Sequence, residues 1–225
     1  MLAAGDRDSS TARRALGTLC EIYWYPLYAY VRRTGATAED ARDLTQGFFA
    51  DFVPRGGFQH LQQDRGRFRA FLLASLKHFL ANDTARRLAQ KRGGGLAPLS
   101  LSVEEAEGRY RHEPADTATP ETLFERRWAL TVIERVLADL REQWTRDHRE
   151  AEFDELRACL LGTAPPGGYE AVAQRLETTA GAVKVAVHRL RRRFREHLRT
   201  HILETVADPA EVDDEIRYLV RSLDR

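Results

Sequence analysis

Residues 169–199 constrain the fold of this chain most strongly, because apolar and basic positions follow helical spacing on either side of one short break. The first run carries Val172, Ala173 and Leu176 on one face, and Ala173 is small enough for a second helix to cross close by. Thr179 follows the break and can accept a hydrogen bond from the first amides of the next helix. The stretch predicts two short helices joined by a tight turn, the outline of a helix-turn-helix.

The second of these predicted helices is strongly basic on one side. Its apolar stripe is Val183, Val187, Leu190 and Phe194. The stripe leaves outside Lys184, His188, Arg189, Arg191 and Arg192. Residues 184–199 hold seven basic side chains and one acid, a net charge of +6 in a chain whose total is +1. Arg-rich amphipathic helices also occur on ordinary surfaces, but this segregation together with the preceding helix and turn favours DNA binding.

Composition narrows the class of protein. With 225 residues and 43% apolar content, the chain can form one or two globular cores. Cys20 and Cys159 are isolated, which predicts neither a zinc knuckle nor a disulfide framework and fits a reducing cytoplasm. No apolar run approaches the roughly 20 residues that span a bilayer, and no secretory leader is recognisable, so we expect no membrane insertion. Strand patterns are nearly absent, which predicts an all-α fold of two small helical domains.

Helical patterns punctuated by breakers organise the N-terminal part. Pro26 interrupts an aromatic-rich helical segment, and it predicts either a kink or a junction between two helices. Thr37 and Asp40 form a plausible N-cap and first-turn acid for the next helix. That helix has a predicted buried stripe of Ala41, Leu44, Phe48, Phe49 and Phe52.

A second basic surface is predicted at residues 65–92, where eight basic side chains and one acid are interleaved with phenylalanines. A positive groove with flat apolar side chains suits single-stranded nucleic acid, although phenylalanines at helical spacing more often belong to a core. Residues 103–125 then contain seven acids, two arginines and two prolines with little periodicity. This composition predicts an acidic linker between two domains.

Three segments carry a family resemblance, in order: YWYPLYAYVRRTGATAEDARDLTQGFFADF, RGRFRAFLLASLKHFLANDTARRLAQKR and YEAVAQRLETTAGAVKVAVHRLRRRFREHL. Together they contain 88 of the 225 residues, spread between residues 23 and 198, and resemble bacterial RNA polymerase sigma factors of the sigma-70 family, in the compact extracytoplasmic-function class. The resemblance implies a region 2-like domain at 1–95, the acidic linker at 96–122, a region 4-like helix-turn-helix domain at 123–202 and an acidic C-terminal extension at 203–225.

The resemblance also implies three contact surfaces, with core RNA polymerase and promoter DNA as partners. The implied polymerase-docking residues are Asp40, Asp43 and Gln46. The implied minus-ten residues, at an element that melts DNA and holds an extracted base, are Phe68, Phe71, Lys77, His78, Arg86 and Arg87. The implied minus-35 residues are Thr179, Lys184, His188, Arg189, Arg191 and Arg192. An anti-sigma protein is a further implied partner.

Three departures from the family pattern stand out. Gly47 replaces a usually acidic residue, His78 falls where asparagine is common, and Glu177 replaces the glycine common at the turn, which would be strained if left-handed. The Gly47 substitution motivates a hypothesis that a regulatory kinase phosphorylates Thr45 and so restores the missing charge. An ordinary helix residue is the simpler interpretation of Thr45.

Other functional classes receive less support. A stand-alone helix-turn-helix regulator is the main alternative, and a protein-binding helical adaptor leaves both basic surfaces unexplained. His197 and His201 have zinc-compatible spacing, but without an HExxH motif a solvated helix end is the expected explanation, and no metal or other cofactor is predicted. No phosphate loop, GxSxG or paired catalytic carboxylates are recognisable, so we do not expect an enzyme.

The C-terminal extension is acidic where it begins. Residues 203–215 hold six acids and no basic residue directly after the basic helix. We hypothesise that this tail folds back over residues 184–199 and competes with DNA, because opposite charges attract within about a Debye length, roughly 8 Å at physiological salt.

Overall fold

The computed structural model describes residue 17 and residues 20–52, 67–89, 103–111, 119–160, 167–206 and 208–224, with the side chains of 84–89 and 103–104 outside that description. Within these ranges every regular element is a helix, which confirms the all-α prediction. The elements are α1 (20–33), α2 (Ala38–Phe52), α3 (Phe68–Ala89), α4 (Val103–Arg111), α5 (Pro120–Arg146), α6 (Glu150–Arg157), α7 (Gly168–Arg175), α8 (Ala180–Leu203), a 3-10 turn (Pro209–Glu211) and α9 (Val212–Leu223).

The chain divides into two compact units. The first comprises Met1–Thr131 with Ile202–Arg225, and the second comprises Val132–His201. These divisions differ from the predicted ones, because they fall within α5 and α8 and not at the acidic segment. The extension predicted at 203–225 belongs to the first unit.

The core of the first unit is built around α1, which is buried on nearly all sides. Pro26 lies inside α1, and the chain is helical on both sides of it, so it does not separate two helices. The Tyr23 ring meets the Phe68 ring edge-on at 5.0 Å between centroids, and burial raises the pKa of the Tyr23 hydroxyl. Burial also raises the pKa of the Cys20 thiol to about 11, so this cysteine is a core residue and not a reactive one.

Helix α2 begins as predicted and packs on α3. The Thr37 Oγ1 accepts from the Asp40 amide at 3.1 Å and donates to the Asp40 carboxylate at 2.8 Å, which confirms the predicted N-cap. Phe48 meets Phe79 edge-on at 5.8 Å between centroids. A Cβ added at Gly47 would lie 3.4 Å from the Phe79 ring, an ordinary van der Waals contact, so the packing of α2 on α3 does not require a glycine here.

The segment predicted as a structureless acidic linker contains helix α4. Ala106 is fully buried, and Glu107 accepts hydrogen bonds from the Tyr28 hydroxyl at 2.8 Å and from the Arg32 guanidinium at 2.9 and 3.0 Å. The hydrogen bond from Arg32 holds the pKa of the Glu107 carboxyl below its ordinary value. The linker prediction was wrong here because the acids that suggested a solvated tether include one with a partner far away in sequence.

Helix α9 is fixed to the first unit by a buried ion pair at the start of α3. The Arg69 Nε donates to the Glu215 carboxylate at 2.7 Å, and the Arg67 Nε lies 3.1 Å from the same carboxylate. The Arg69 guanidinium also stacks on Tyr218, 3.6 Å from the ring centroid. Only 4% of Arg69 and 2% of Glu215 is exposed. The hypothesis that the tail folds over 184–199 is wrong for Glu215, whose charge is matched here.

The second unit packs the apolar faces of α5, α6, α7 and α8 together. Its buried residues include Val132, Val136, Leu140, Trp144, Phe153, Leu156, Val172, Ala173, Val183, Val187 and Leu190. Polar contacts join α8 to α5, because His197 is 3.0 Å from Gln143 and His201 is 2.7 Å from Asp139. The core therefore fixes one face of α8 and leaves the opposite face outside.

Candidate nucleic-acid interface

The turn before α8 has the close geometry that the sequence predicts. Helix α7 ends at Arg175, and the Thr178 amide then donates to the Ala173 carbonyl at 2.9 Å. Glu177 has a φ of 50°, so the turn is left-handed where the sequence carries a glutamate. A side chain in this conformation costs about 1 kcal/mol relative to glycine. The predicted strain at Glu177 is thus present.

Thr179 caps α8. Its Oγ1 accepts from the Ala182 amide at 3.2 Å, which confirms the cap predicted from sequence. The hydroxyl is engaged in this cap, although the residue as a whole is exposed. A cap of this kind fixes where the helix starts and so fixes which side chains project outward in its first turns.

The predicted stripe of α8 is buried at Val183, Val187 and Leu190, and Phe194 is half-buried. The opposite face is exposed and basic. Its exposed basic residues are Lys184, His188, Arg189, Arg192, Arg195 and Arg199, whereas the exposed Arg193 lies on the flank, with its guanidinium 5.0 Å from the ring centroid of Trp144 on α5. Lys184 extends toward Tyr169, with its Nζ 5.9 Å from the ring centroid. Arg192 pairs with Glu196 one turn along at 3.4 Å, an exposed pair that adds little stability.

Arg191 is the exception among the predicted minus-35 residues. Both its Nε and Nη2 donate to the Cys159 carbonyl, at 3.1 and 2.6 Å. This arginine therefore satisfies the backbone at the end of α6 and holds α8 in place. Because two of its donor atoms are engaged within the unit, Arg191 is less available to DNA than the exposed Arg189 and Arg192.

Sequence reasoning missed one exposed apolar residue on this face. Val185 is 50% exposed, among the largest exposures of any apolar side chain in the described ranges. Helical spacing alone could have located it, because a position two residues from Val183 and two from Val187 lies opposite their stripe.

Two of the predicted minus-ten residues, the phenylalanines of α3, have packing partners within the first unit. Phe68 is buried against Tyr23, and Phe71 is half-buried with its ring 5.9 Å from that of Phe52. Phe68 is therefore not placed to stack on a base, and that prediction was wrong because helically spaced aromatics usually fill cores. For the half-buried Phe71 a contact with a base stays a prediction.

The polar minus-ten residues predicted on α3 have different surroundings. Lys77 pairs with Glu121 at 2.6 Å, and this hydrogen bond raises the pKa of the lysine ammonium. His78 is exposed. The side chains of Arg86 and Arg87 lie outside the described part of the chain.

The predicted polymerase-docking residues lie on α2. Asp43 is exposed and pairs with its neighbour Arg42 at 3.0 Å, Gln46 is half-buried, and Asp40 belongs to the N-terminal cap. Thr45 is completely buried, and its hydroxyl donates to the Ala41 carbonyl at 2.7 Å. A kinase cannot reach this hydroxyl without opening the helix, so we abandon the phosphorylation hypothesis.

Metal ligation finds no support in the described ranges, where no group of three or more His, Cys, Asp and Glu side chains could hold an ion. His197 and His201 are not the solvated helix end that we expected, because both contact α5. Among the described helices, none is long and apolar enough to cross a bilayer.

No protein-family model matches the chain, and no match was found among curated proteins or solved structures. Functional inference therefore depends on the geometry of α7 and α8 and on the sequence resemblance.

Proposed function

We propose that this chain is a sigma factor of the sigma-70 family, in the extracytoplasmic-function class. In this proposal it binds core RNA polymerase in the cytoplasm and directs promoter-specific initiation of transcription. Helices α7 and α8 form a helix-turn-helix that binds the minus-35 element, and the first unit carries the polymerase and minus-ten contacts. An anti-sigma protein enters the proposal as a partner on the resemblance alone.

One observation carries the DNA-binding part of the proposal. The outer face of α8 presents exposed Lys184, His188, Arg189 and Arg192 after a capped start, while its inner face is fixed in a core. A rigid basic helix following a short helix and a tight turn fits the major groove, and the cations attract phosphates. No acid other than Glu196 interrupts the charge of residues 184–199.

Fewer residues support the minus-ten part of the proposal than the sequence predicted. With Phe68 buried and Phe71 packed on Phe52, the exposed predicted residues on the described part of α3 are His78 and Lys77, and Lys77 pairs with Glu121. The polymerase part is supported by Asp43, which is exposed on α2. These contacts remain proposals that follow from the resemblance.

The packing of those phenylalanines favours a second candidate, a stand-alone helix-turn-helix regulator. An aromatic surface for unpaired bases was the feature that separated a sigma factor from a duplex-only regulator. Since Phe68 is buried and the half-buried Phe71 and Phe79 contact Phe52 and Phe48, the two candidates share their best-supported surface. They differ in whether core polymerase is required.

The test is transcription of fragmented host genomic DNA by purified core polymerase, with and without the full chain, followed by sequencing of transcript starts. New starts that share upstream motifs support a sigma factor. Binding of duplex fragments by the chain alone, without new starts, supports the regulator. Absence of both binding and new starts rejects both candidates.

Two variants assign the effect to surfaces. Asp43→Ala should reduce new starts while duplex binding by the chain alone persists, and Glu39→Ala, an exposed acid on the same helix, is its control. Arg189→Ala should reduce both. If Asp43→Ala and Glu39→Ala behave alike, α2 does not dock polymerase through the predicted residue.

A further inference from the structure

Val185 occupies the centre of the outer face of α8. An α-helix turns by about 100° per residue, which places Val185 about 200° around the axis from Val183. The measured exposures agree, because Val185 is 50% exposed whereas Val183 and Val187 are 1% and 3% exposed. One turn further along, His188 and Arg189 are exposed on the same side. An apolar side chain thus lies in the middle of a basic surface.

The turn before Val185 is small and open. Gly181 and Ala182 are both exposed, and a Cβ built at Gly181 would meet only the Thr179 hydroxyl, at 3.9 Å. Long side chains therefore do not crowd the first turns of α8. A flat partner could approach the Val185 methyl groups closely, while His188 and Arg189 reach it from one turn away.

Helix stability does not explain a valine at this position. A β-branched residue on the exposed side of a helix is less favourable than alanine, because its side chain loses rotamer freedom against the preceding turn. Scattered exposed apolar residues are common on protein surfaces. This one differs because its neighbours on the face are cationic or small, which suits a partner that combines negative charge with an accessible methyl group.

Duplex DNA has both properties. Phosphates line its major groove, and among the four bases only thymine presents an apolar group there, the C5 methyl. Residues near the start of a recognition helix contact base edges, and flanking cations contact phosphates. We propose that Val185 is a specificity-determining residue that packs on a thymine methyl in the major groove. This inference depends on the proposed DNA binding by α8.

The test begins with selection of preferred duplexes from a random pool by the full chain, alone and bound to core polymerase. Each thymine of the selected site is then replaced by deoxyuridine, which removes only the C5 methyl. At one or two positions the replacement should weaken binding by about fourfold, the effect of one methyl group leaving an apolar contact. At the other thymines the affinity should stay unchanged.

Variants assign that loss to one side chain. In Val185→Ala the thymine and deoxyuridine duplexes should bind equally, because the substitution removes the two γ methyl groups that contact the thymine methyl. Val220→Ala is the matched control, since Val220 is 51% exposed on α9 and should keep the discrimination.

The outcomes separate this inference from the proposed function. A selected site whose thymines all tolerate deoxyuridine, or a Val185→Ala protein that still discriminates, overturns the thymine contact and leaves DNA binding intact. Failure to select any duplex, with or without polymerase, overturns both. Binding of core polymerase that Val185→Ala abolishes would assign the valine to a protein contact and also overturn the inference.

Discussion

Helices α3 and α8 both contain several basic residues, but their arginines have opposite surroundings. Arg69 on α3 is buried between Glu215 and the Tyr218 ring, whereas Arg189 on α8 is exposed. The two helices differ in the acidic side chains that lie next to their basic residues. Glu215, Glu125 and Glu121 face α3 from distant parts of the chain, at 2.7, 3.8 and 2.6 Å from their partners. A basic run becomes a binding surface only where the rest of the fold leaves its charge unmatched.

The largest expected effect concerns the buried pair. Glu215→Ala should lower the free energy of unfolding by about 3 to 5 kcal/mol, because it leaves Arg69 buried without its main counter-ion. Arg217→Ala removes an exposed partner of Asp214 on the same helix and should cost less than about 1 kcal/mol. Urea denaturation of both proteins measures the difference. Equal losses would mean that the Glu215 carboxylate is not needed to hold α9.

The next prediction separates two arginines that are two residues apart. Arg191→Ala should cost about 1 to 3 kcal/mol of stability, because the Cys159 carbonyl loses its charged donor. Arg189→Ala should leave stability nearly unchanged but weaken DNA binding, with the slope of log affinity against log salt reduced by about one. Paired urea denaturation and salt titrations check both halves. A fall in salt slope for Arg191→Ala instead would return that residue to the DNA interface.

Acid should weaken the attachment of α4. Hydrogen bonds keep the Glu107 carboxyl ionised in the folded state, so its folded pKa lies below its unfolded one. The resulting stability is complete above the ordinary glutamate range and is lost as pH falls through the lowered folded pKa. Glu107→Gln should cost about 1 to 2 kcal/mol at neutral pH and should flatten that acid dependence. Unfolding measured between neutral and acidic pH tests this, and an unchanged profile in Glu107→Gln would contradict it.

The smallest effect is at the turn before α8. Glu177→Gly should raise stability by up to about 1 kcal/mol, because glycine adopts a positive φ without strain. Gln174→Gly, at an exposed position in α7, should lower it by about 1 kcal/mol, because glycine is unfavourable within a helix. Thermal unfolding of the pair should give shifts of opposite sign. Shifts of the same sign would show that backbone strain at Glu177 is negligible.

Local patterns predicted local structure well. The Thr37 and Thr179 caps and the Val183 stripe follow from residues within one or two turns of each other, and the structure confirms all three. The errors involve partners that sequence spacing cannot bring together. Glu107 lies 75 residues from Arg32, and Glu215 lies 146 residues from Arg69.

The same limit explains what was missed at the candidate interface. A charged run looks alike whether its side chains face water or each other, so Arg191 was grouped with Arg189 and Arg192. Val185 does lie opposite the buried stripe by helical spacing, and its 50% exposed side chain agrees with that position.

The pairing of Arg69 with Glu215 has a consequence for synthesis on the ribosome. The glutamate is added 146 residues after the arginine, an interval on the order of 10 s at 5 to 20 residues per second. During that time Arg69 cannot pair with Glu215. The N-terminal part of the first unit therefore cannot finish folding until the C-terminal part of the chain has been synthesised. Nascent chains of this protein are therefore expected to complete their second unit before their first, and messages truncated ahead of codon 215 should yield products that proteases clear.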